Sequence, residues 1–412
     1  MPNQKENKEI TKNPNNASQG PLQGVKVLDL ATAIAAPFGS GMMADQGAEV
    51  IKVEAPGMGD IMRYVGSSRN GVTAMFQMSN RGKRDIALDL KQEKGLAIFK
   101  QLAAETDVMI HNFRSGVVER LGISYDDVVA INPHVIYVSV FGFGHEGPDS
   151  QRRAYDNVIQ AFSGVAYNQA NPVTGEPIQC YQAIVDKMTS MNVSMAVSSA
   201  LYARSQGRGG QHIRLNMVDS MVHFLWMDAS ETASFLEEGA VLGPQVAKGV
   251  PLVKFANGYG QVAPVSDSEF HGLCKSFGVD SKNRPELATI MDRSTNRDAM
   301  REIMQEIYAV AETIDVDEAI AILVANDVPC AKAMELADLS EHPQIIANKT
   351  FAQFEHSVAG NMREPNFPAD FEKTPAGIAG GSPGLGEHTD EILRELGLES
   401  EIAALRESQV VG

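Results

Sequence analysis

Cysteine is scarce in these 412 residues. Cys180, Cys274 and Cys330 are odd in number, far apart and without CxxC spacing, so neither a disulfide framework nor a zinc site is indicated. Each reads as a small apolar packing residue. Long hydrophobic runs are missing too. The longest, "VIYVSVFGFG", is about half of the ~20 residues needed to span a bilayer, which argues against a membrane protein. The first 22 residues, "MPNQKENKEITKNPNNASQGPL", contain no apolar core of a secretory signal and read as a polar, disordered tail. Positive charge is in short supply: 35 Lys and Arg stand against 52 Asp and Glu, a formal net charge of −17. That balance speaks against nucleic acid or an anionic membrane as the partner. Any polyanionic ligand must therefore be met by local basic residues working against the overall field. There is no GxxxxGK[ST] phosphate loop, no HExxH, no GxSxG elbow and no histidine or carboxylate cluster at metal spacing, so no metal is expected. Unpaired thiols and 19 methionines fit a reducing cytoplasm.

What is present is a rhythm. From Gly24, the runs "VKVLDL", "EVIKVE", "DIALDL", "DVMIHNF", "HVIYVSVF" and "YQAIVD" read as short strands rich in Val and Ile. Amphipathic segments lie between several of them; in "KQEKGLAIFKQLAAET", Leu96, Phe99, Leu102 and Ala103 recur at helical spacing. Alternating strands and helices predict an α/β protein with a Rossmann-like, mostly parallel sheet covered on both faces. After "HIRLNM" the rhythm changes to a helix, a hairpin and further helices. The expected division is a tail over 1–22, the first part of a large α/β domain over 23–215, a smaller α+β domain over 216–334, and a return segment over 335–412 completing the large domain.

"GFGHEG" at 142–147 fits the glycine pattern of a dinucleotide fingerprint, but Pro148 and the polar "SQRRA" leave no helix for it to open, so nicotinamide binding is not expected. His145 and His388 read as surface residues and His111 as a hydrogen-bonded one. Asp186 stands out. It ends the predicted strand "YQAIVD" and begins a long helix of Ser, Ala and Met that reads as buried on all sides. It is either the helix N-cap or a carboxylate held at a strand end, where open α/β sheets place their sites.

An ordered set of segments, "PLQGVKVLDL", "GAEVIKVEAPGMGD", "NRGKRDIALDLK", "DVMIHNFRSGVVERLGI", "NPHVIYVSVFGFGHEGP", "YDNVIQAFSG", "GRGGQHIRLNMVD" and "GEHTDEILRELGL", resembles the class III CoA-transferases from about Pro21 onwards. The resemblance implies that Asp186 is a nucleophile carrying CoA from an acyl-CoA thioester to a carboxylic acid through a mixed anhydride and an aspartyl thioester. It implies CoA contacts at Thr32, Ala33, Leu88, Lys91, Asn112, Phe113, Arg120 and Arg153, with Ile34 and Tyr155 facing the acyl group. Lys91, Arg120 and Arg153 suit phosphates, and Phe113 offers apolar contact. Backbone N–H groups at the start of the helix after Asp186 are expected to meet the developing oxyanion. It further implies an interlocked homodimer, with CoA entering as part of the substrate and no permanently bound cofactor.

Two departures are notable: Ile34 stands where some members carry glutamine, and "NGYGQ" (257–261) replaces the run of glycines that forms a mobile lid. Both point away from formyl-CoA transferase and towards a less polar or larger acyl pair. The related α-methylacyl-CoA racemases use a histidine where this chain has Tyr155, and a phenol is a poor proton shuttle at neutral pH. Intramolecular transfer between two carboxyls, or non-catalytic binding of a CoA ester, are the other readings.

Overall fold

The computed structural model describes residues 19–242 and 251–412. Residues 1–18 of the expected tail lie outside them. Residues 19–22 are already part of the fold, since the Leu22 amide donates to the Gln46 carbonyl at 2.8 Å.

The described residues form two units, one within 1–240 and 347–412 and the other within 241–346. In the large unit the elements run β1 (Lys26–Asp29), α1 (Pro37–Asp45), β2 (Glu49–Glu54), a two-residue hairpin β3 (Ser68–Arg69) and β4 (Val72–Thr73), α2 (Ala74–Asn80), β5 (Arg84–Ala87), α3 (Glu93–Ala104), β6 (Val108–His111), α4 (Val117–Leu121), α5 (Tyr125–Val129), β7 (Ile136–Phe141), α6 (Asp156–Phe162), α7 (Val165–Asn168), α8 (Ile184–Ala203), β8 (Gln211–Asn216) and α9 (Met217–Ala229). The main sheet has the order β5-β2-β1-β6-β7-β8, with every pairing parallel. The chain builds outwards from β1 to β5, then returns to the other side of β1 and builds out to β8. The reversal puts a topological switch point between β1 and β6, where open α/β sheets carry their ligands.

Both faces of the sheet are covered, so the strands read as continuous apolar runs rather than alternating ones. Val27, Val108, Ile110, Ile136 and Val138 face a core shared with α1, α8 and α9. Their neighbours Leu28, Met109 and Tyr137 face a second core with α3, α5 and the C-terminal helices. Residues 405–412 close beside β5: the Asp89 amide donates to the Val410 carbonyl at 2.8 Å and the Gly412 amide to the Ala87 carbonyl at 3.0 Å.

Two expectations are corrected. "YQAIVD" is not a strand; the chain is irregular until α8 begins at Ile184. Nor is α8 buried all round. Val185, Thr189, Val193, Val197 and Ala200 make one buried face at helical spacing, while Met191 and Met195 on the other are 49% and 63% exposed. The helix after β8 belongs to the large unit, because α9 packs on α8 and shares its core. The small unit therefore runs from 241 to 346 rather than from 216 to 334.

The small unit has its own core around Phe255, Phe270 and the buried Cys274. Its three-stranded sheet has the order β11 (Cys330–Lys332), β10 (Gly258–Val262), β9 (Val253–Phe255), packed with helices that include Asp267–Ser276, Arg297–Ala311 and Val316–Ala325. "NGYGQ" is the turn and start of the β9–β10 hairpin. Among the described residues no helix is long and apolar enough to cross a membrane.

Helix α1 crosses α8 at Gly39, where an added Cβ would lie 2.9 Å from the Ser190 carbonyl oxygen and 3.0 Å from Val193 Cβ. Gly39→Val should cost about 1–3 kcal/mol through overpacking, read as a lowered midpoint in urea unfolding.

Candidate active site

The switch point is fastened by a side chain. Asn112, just after β6, accepts from the Thr32 amide at 3.0 Å and donates to the Thr32 carbonyl at 2.7 Å, clasping the loop that follows β1. The next residue, Ala33, has φ +66°, a left-handed conformation that costs a residue with a Cβ about 1–2 kcal/mol. Its amide donates to Asp60 Oδ1 at 3.0 Å. Asp60 and its partner Lys52, 3.1 Å apart, have fully buried side chains, and Lys52 Nζ also donates to the Ala31 carbonyl at 2.8 Å. Beneath them Lys83 Nζ meets Asp29 Oδ2 at 2.8 Å, again fully buried, and Asp29 Oδ1 accepts from the Ala31 amide at 2.9 Å. The other side of the loop touches α8: Ser190 Oγ lies 2.8–3.1 Å from the carbonyl oxygens of Asp186, Ala35 and Ile34.

Asp186 is not the N-cap of α8. That position is Ala183, which makes no side-chain cap, and Asp186 stands in the first turn. Its amide, one of the donors a helix start leaves open, is met by Asp156 Oδ2 at 2.9 Å. Asp156, the first residue of α6, thus does the capping from a neighbouring helix. Gln160, one turn later in α6, holds the approach to α8 by donating to the Gln182 carbonyl at 3.0 Å and accepting from the Cys180 amide at 2.9 Å. Among the described residues no hydrogen-bond donor meets the Asp186 carboxylate. Burial, reinforced by the nearby charge of Asp156, pushes its pKa up to about 7.

A cavity of about 220 Å³ gathers Asp186 with Thr32, Ala33, Asn112, Phe113, Arg153 and Tyr155. Arg114, Arg152 and Phe141 complete much of its wall. Arg152 is engaged with Asp149 at 3.1 Å and lies 4.4 Å over the Phe143 ring. Gly142 lets the wall close, since an added Cβ would lie 2.3 Å from Ala154 Cβ. Asp156 and Arg114 were not singled out from the sequence. Asp156 lay in plain view in "YDN", but capping across helices leaves no sequence spacing to find.

Four expected residues do not line this cavity. Leu88 is 1% exposed in the second core, packed where the C-terminal segment pairs with it, so its side chain is withdrawn from any ligand. Lys91, in the loop after β5, and Arg120, on α4, are exposed. Ile34 is tied down through its carbonyl, which also accepts from the Phe38 amide at 3.0 Å. The oxyanion donors expected at the start of α8 are also largely spent: the Ile184 amide donates to Gln182, that of Lys187 to Ala183, and that of Asp186 to Asp156.

His111 is buried, as read from the sequence. Its Nδ1 accepts from the Phe113 amide at 3.2 Å and its Nε2 meets Ser139 Oγ at 2.8 Å, so it shapes the turn carrying Asn112 and Phe113. Burial drives its pKa down to about 3, keeping the ring neutral. Among the described residues, no group of three or more His, Cys, Asp or Glu could hold a metal ion.

The sequence profile of CoA-transferase family III matches residues 22–389. A succinyl-CoA:glutarate CoA-transferase of Homo sapiens is 31% identical over 91% of this chain and 86% of its own. A formyl-CoA:oxalate CoA-transferase of Escherichia coli is 29% identical over 95% of this chain and 99% of its own. Among solved structures, a CAIB/BAIF family protein from Brucella suis matches with a TM-score of 0.78 at 31% identity, over 92% of this chain and 100% of that one. The chain belongs to CoA-transferase family III, and its activity is the transfer of CoA between an acyl-CoA and a carboxylate.

Proposed function

We propose that Asp186 carries the CoA covalently. The observation that supports this most directly is a carboxylate released from helix capping and half-sheltered from water, in one cavity with Thr32, Ala33, Asn112, Phe113 and Arg153 at the switch point. One Asp186 oxygen attacks the thioester carbonyl carbon; the C–S bond breaks, giving a mixed anhydride and CoA thiolate. The thiolate attacks the aspartyl carbonyl, the first acid leaves as its carboxylate, and Asp186 becomes a CoA thioester. The acceptor carboxylate attacks that thioester, expelling thiolate and forming a second anhydride. The thiolate then attacks the acceptor's acyl carbon, which leaves as its CoA ester and frees Asp186. One thioester replaces another, so no energy source is required. Partial burial limits the water that would hydrolyse either intermediate.

Thr32, Ala33, Asn112 and Phe113 are assigned to the thioester end of CoA and Arg153 to a phosphate. Lys91 and Arg120, exposed and without ion-pair partners among the described residues, are assigned to the remaining phosphates. Phe113, Phe141 and Tyr155 beside Arg114 suit an acyl group with a short apolar stretch and a terminal carboxylate. The succinate and glutarate of the human relative are acids of that kind. We place the enzyme in the cytoplasm, in keeping with its three free cysteines.

A homodimer is part of the same proposal. On the elements around α8, Tyr167, Tyr202 and Met227 are 71%, 69% and 95% exposed, and with Met191, Met195 and Trp226 they leave apolar surface that a second copy would cover. Sedimentation equilibrium should return twice the 44.4 kDa chain mass; a monomer at micromolar concentration rejects the dimer.

Intact-protein mass after brief incubation with a panel of acyl-CoAs, with hydroxylamine trapping and peptide mapping, should find an adduct on the Asp186 peptide. Asp186→Ala should show none and lose transfer by at least a thousandfold, while still binding CoA. No adduct from any donor would reject covalent transfer.

The nucleophile must be ionised, and its pKa lies near 7. Activity measured as kcat/KM for the acyl-CoA should therefore rise about tenfold per pH unit below that value and level off above it. In Asp156→Asn the amide oxygen can still cap α8 but the like charge is gone, so the midpoint of the same profile should move to lower pH.

A further inference from the structure

The loop between β1 and α1 has an unusual support. The Lys52–Asp60 pair grips both sides of Thr32: Lys52 Nζ donates to the carbonyl of Ala31 at 2.8 Å, and Asp60 Oδ1 accepts from the amide of Ala33 at 3.0 Å. The same Oδ1 accepts from the Met62 amide at 3.0 Å, so Asp60 also caps the short 3-10 turn Ile61–Tyr64. Asn112 holds both polar groups of Thr32 itself. Every backbone group from the Ala31 amide to the Ala33 amide is thereby committed to a side chain of the scaffold. The conformation so fixed includes the left-handed Ala33, which a residue with a Cβ does not adopt without compensation. Thr32 and Ala33 line the cavity with Asp186, whereas Lys52 and Asp60 are sealed from it.

A buried ion pair is weak evidence of a contribution to stability, because desolvation offsets the attraction and apolar replacements of similar volume are often neutral or better. Its consequence here is geometric. We propose that Asp60, acting through Ala33 and with Lys52 as its counter-ion, is a positioning residue for the transfer, setting the loop against which the thioester carbonyl is presented to Asp186. The pair touches neither CoA nor the acyl group. Its loss releases Ala33 towards an ordinary conformation and displaces Thr32 and Ala33 from the nucleophile. A misplacement of about 1 Å in such a contact can lower a rate on the order of a hundredfold without abolishing binding. The inference rests on the reading of Asp186 as nucleophile.

Removing one partner alone would strand a buried charge, so the test uses paired substitutions. Lys52→Met/Asp60→Leu removes the charges and both hold-points on the loop. Lys52→Met/Asp60→Asn is equally uncharged but keeps an oxygen for the Ala33 amide. Labelling of Asp186 is followed by rapid-quench mass spectrometry, using whichever of formyl-, acetyl-, succinyl- or glutaryl-CoA labels the wild type fastest, over a range of donor concentrations. The Leu variant should unfold at a temperature within a few degrees of wild type. Its maximal labelling rate should fall at least tenfold, while the donor concentration for half-maximal rate changes less than threefold. The Asn variant should keep its rate within about threefold of wild type, and adding Ala33→Gly to the Leu variant should recover part of the loss.

Equal labelling rates in wild type and the Leu variant overturn the proposal. So does a parallel loss of rate and melting temperature in both paired variants, which marks the pair as structural only. Absence of label in the wild type instead overturns the covalent reading on which the inference rests.

Discussion

Four charged side chains without exposed surface, Asp29, Lys52, Asp60 and Lys83, lie under the strand ends that carry the site. Bringing them out of water is unfavourable, and the arrangement offsets this by giving each both an opposite charge and backbone partners. Lys83 meets Asp29, the Asn80 side chain and the Pro37 carbonyl, all at 2.8 Å. Burial still draws Lys83 down to about 8. For Asp29, burial works towards a higher value, but the charges of Lys83 and Lys52 outweigh it and keep the carboxyl below its ordinary range. Because nearly every oxygen and ammonium proton is committed, the β1–α1 loop has one place to go. The left-handed Ala33, the Asn112 clasp on Thr32 and the contact with Ser190 of α8 all inherit that place.

The same economy of donors leaves the Asp186 carboxylate without a partner among the described residues. A carboxylate in the first turn of a helix ordinarily takes the open amides there and becomes firmly ionised. Here the capping task passes to Asp156 on α6, and Gln160 on the same helix steadies the irregular approach to α8. Asp186 is left beside a like charge, with no donor of its own among the described residues. The cap of α8 and the proposed nucleophile are therefore different residues on different helices.

Much of the large unit was legible because it depends on local composition. Short runs of Val and Ile between amphipathic segments give parallel strands, and five of the six expected runs are strands. "YQAIVD" fails because its apolar residues belong to the first turn of α8, and a short apolar run does not by itself tell a strand from a buried helix start. The gathering of Thr32, Asn112 and Asp186 follows from strand order, which alternation alone does not specify; the family resemblance supplied it. Leu88 shows the limit of that resemblance. Its side chain lies in one core with Ile392, Leu405 and Val411, more than 300 positions later, and no local pattern reports such a neighbour. Domain limits were misplaced for a related reason: α9 looks like a departure from the sheet until its packing on α8 is known.

The return of residues 347–412 to the large unit has a consequence for synthesis. The Leu405–Gly412 segment pairs beside β5, so that flank of the main sheet waits for residues more than 300 positions later in the chain. The described residues of 241–346 have their own core and are made before that segment. The large unit is thus begun before the small one and completed after it, and until residues 405–412 arrive the chain just after β5 lacks these partners at the sheet edge.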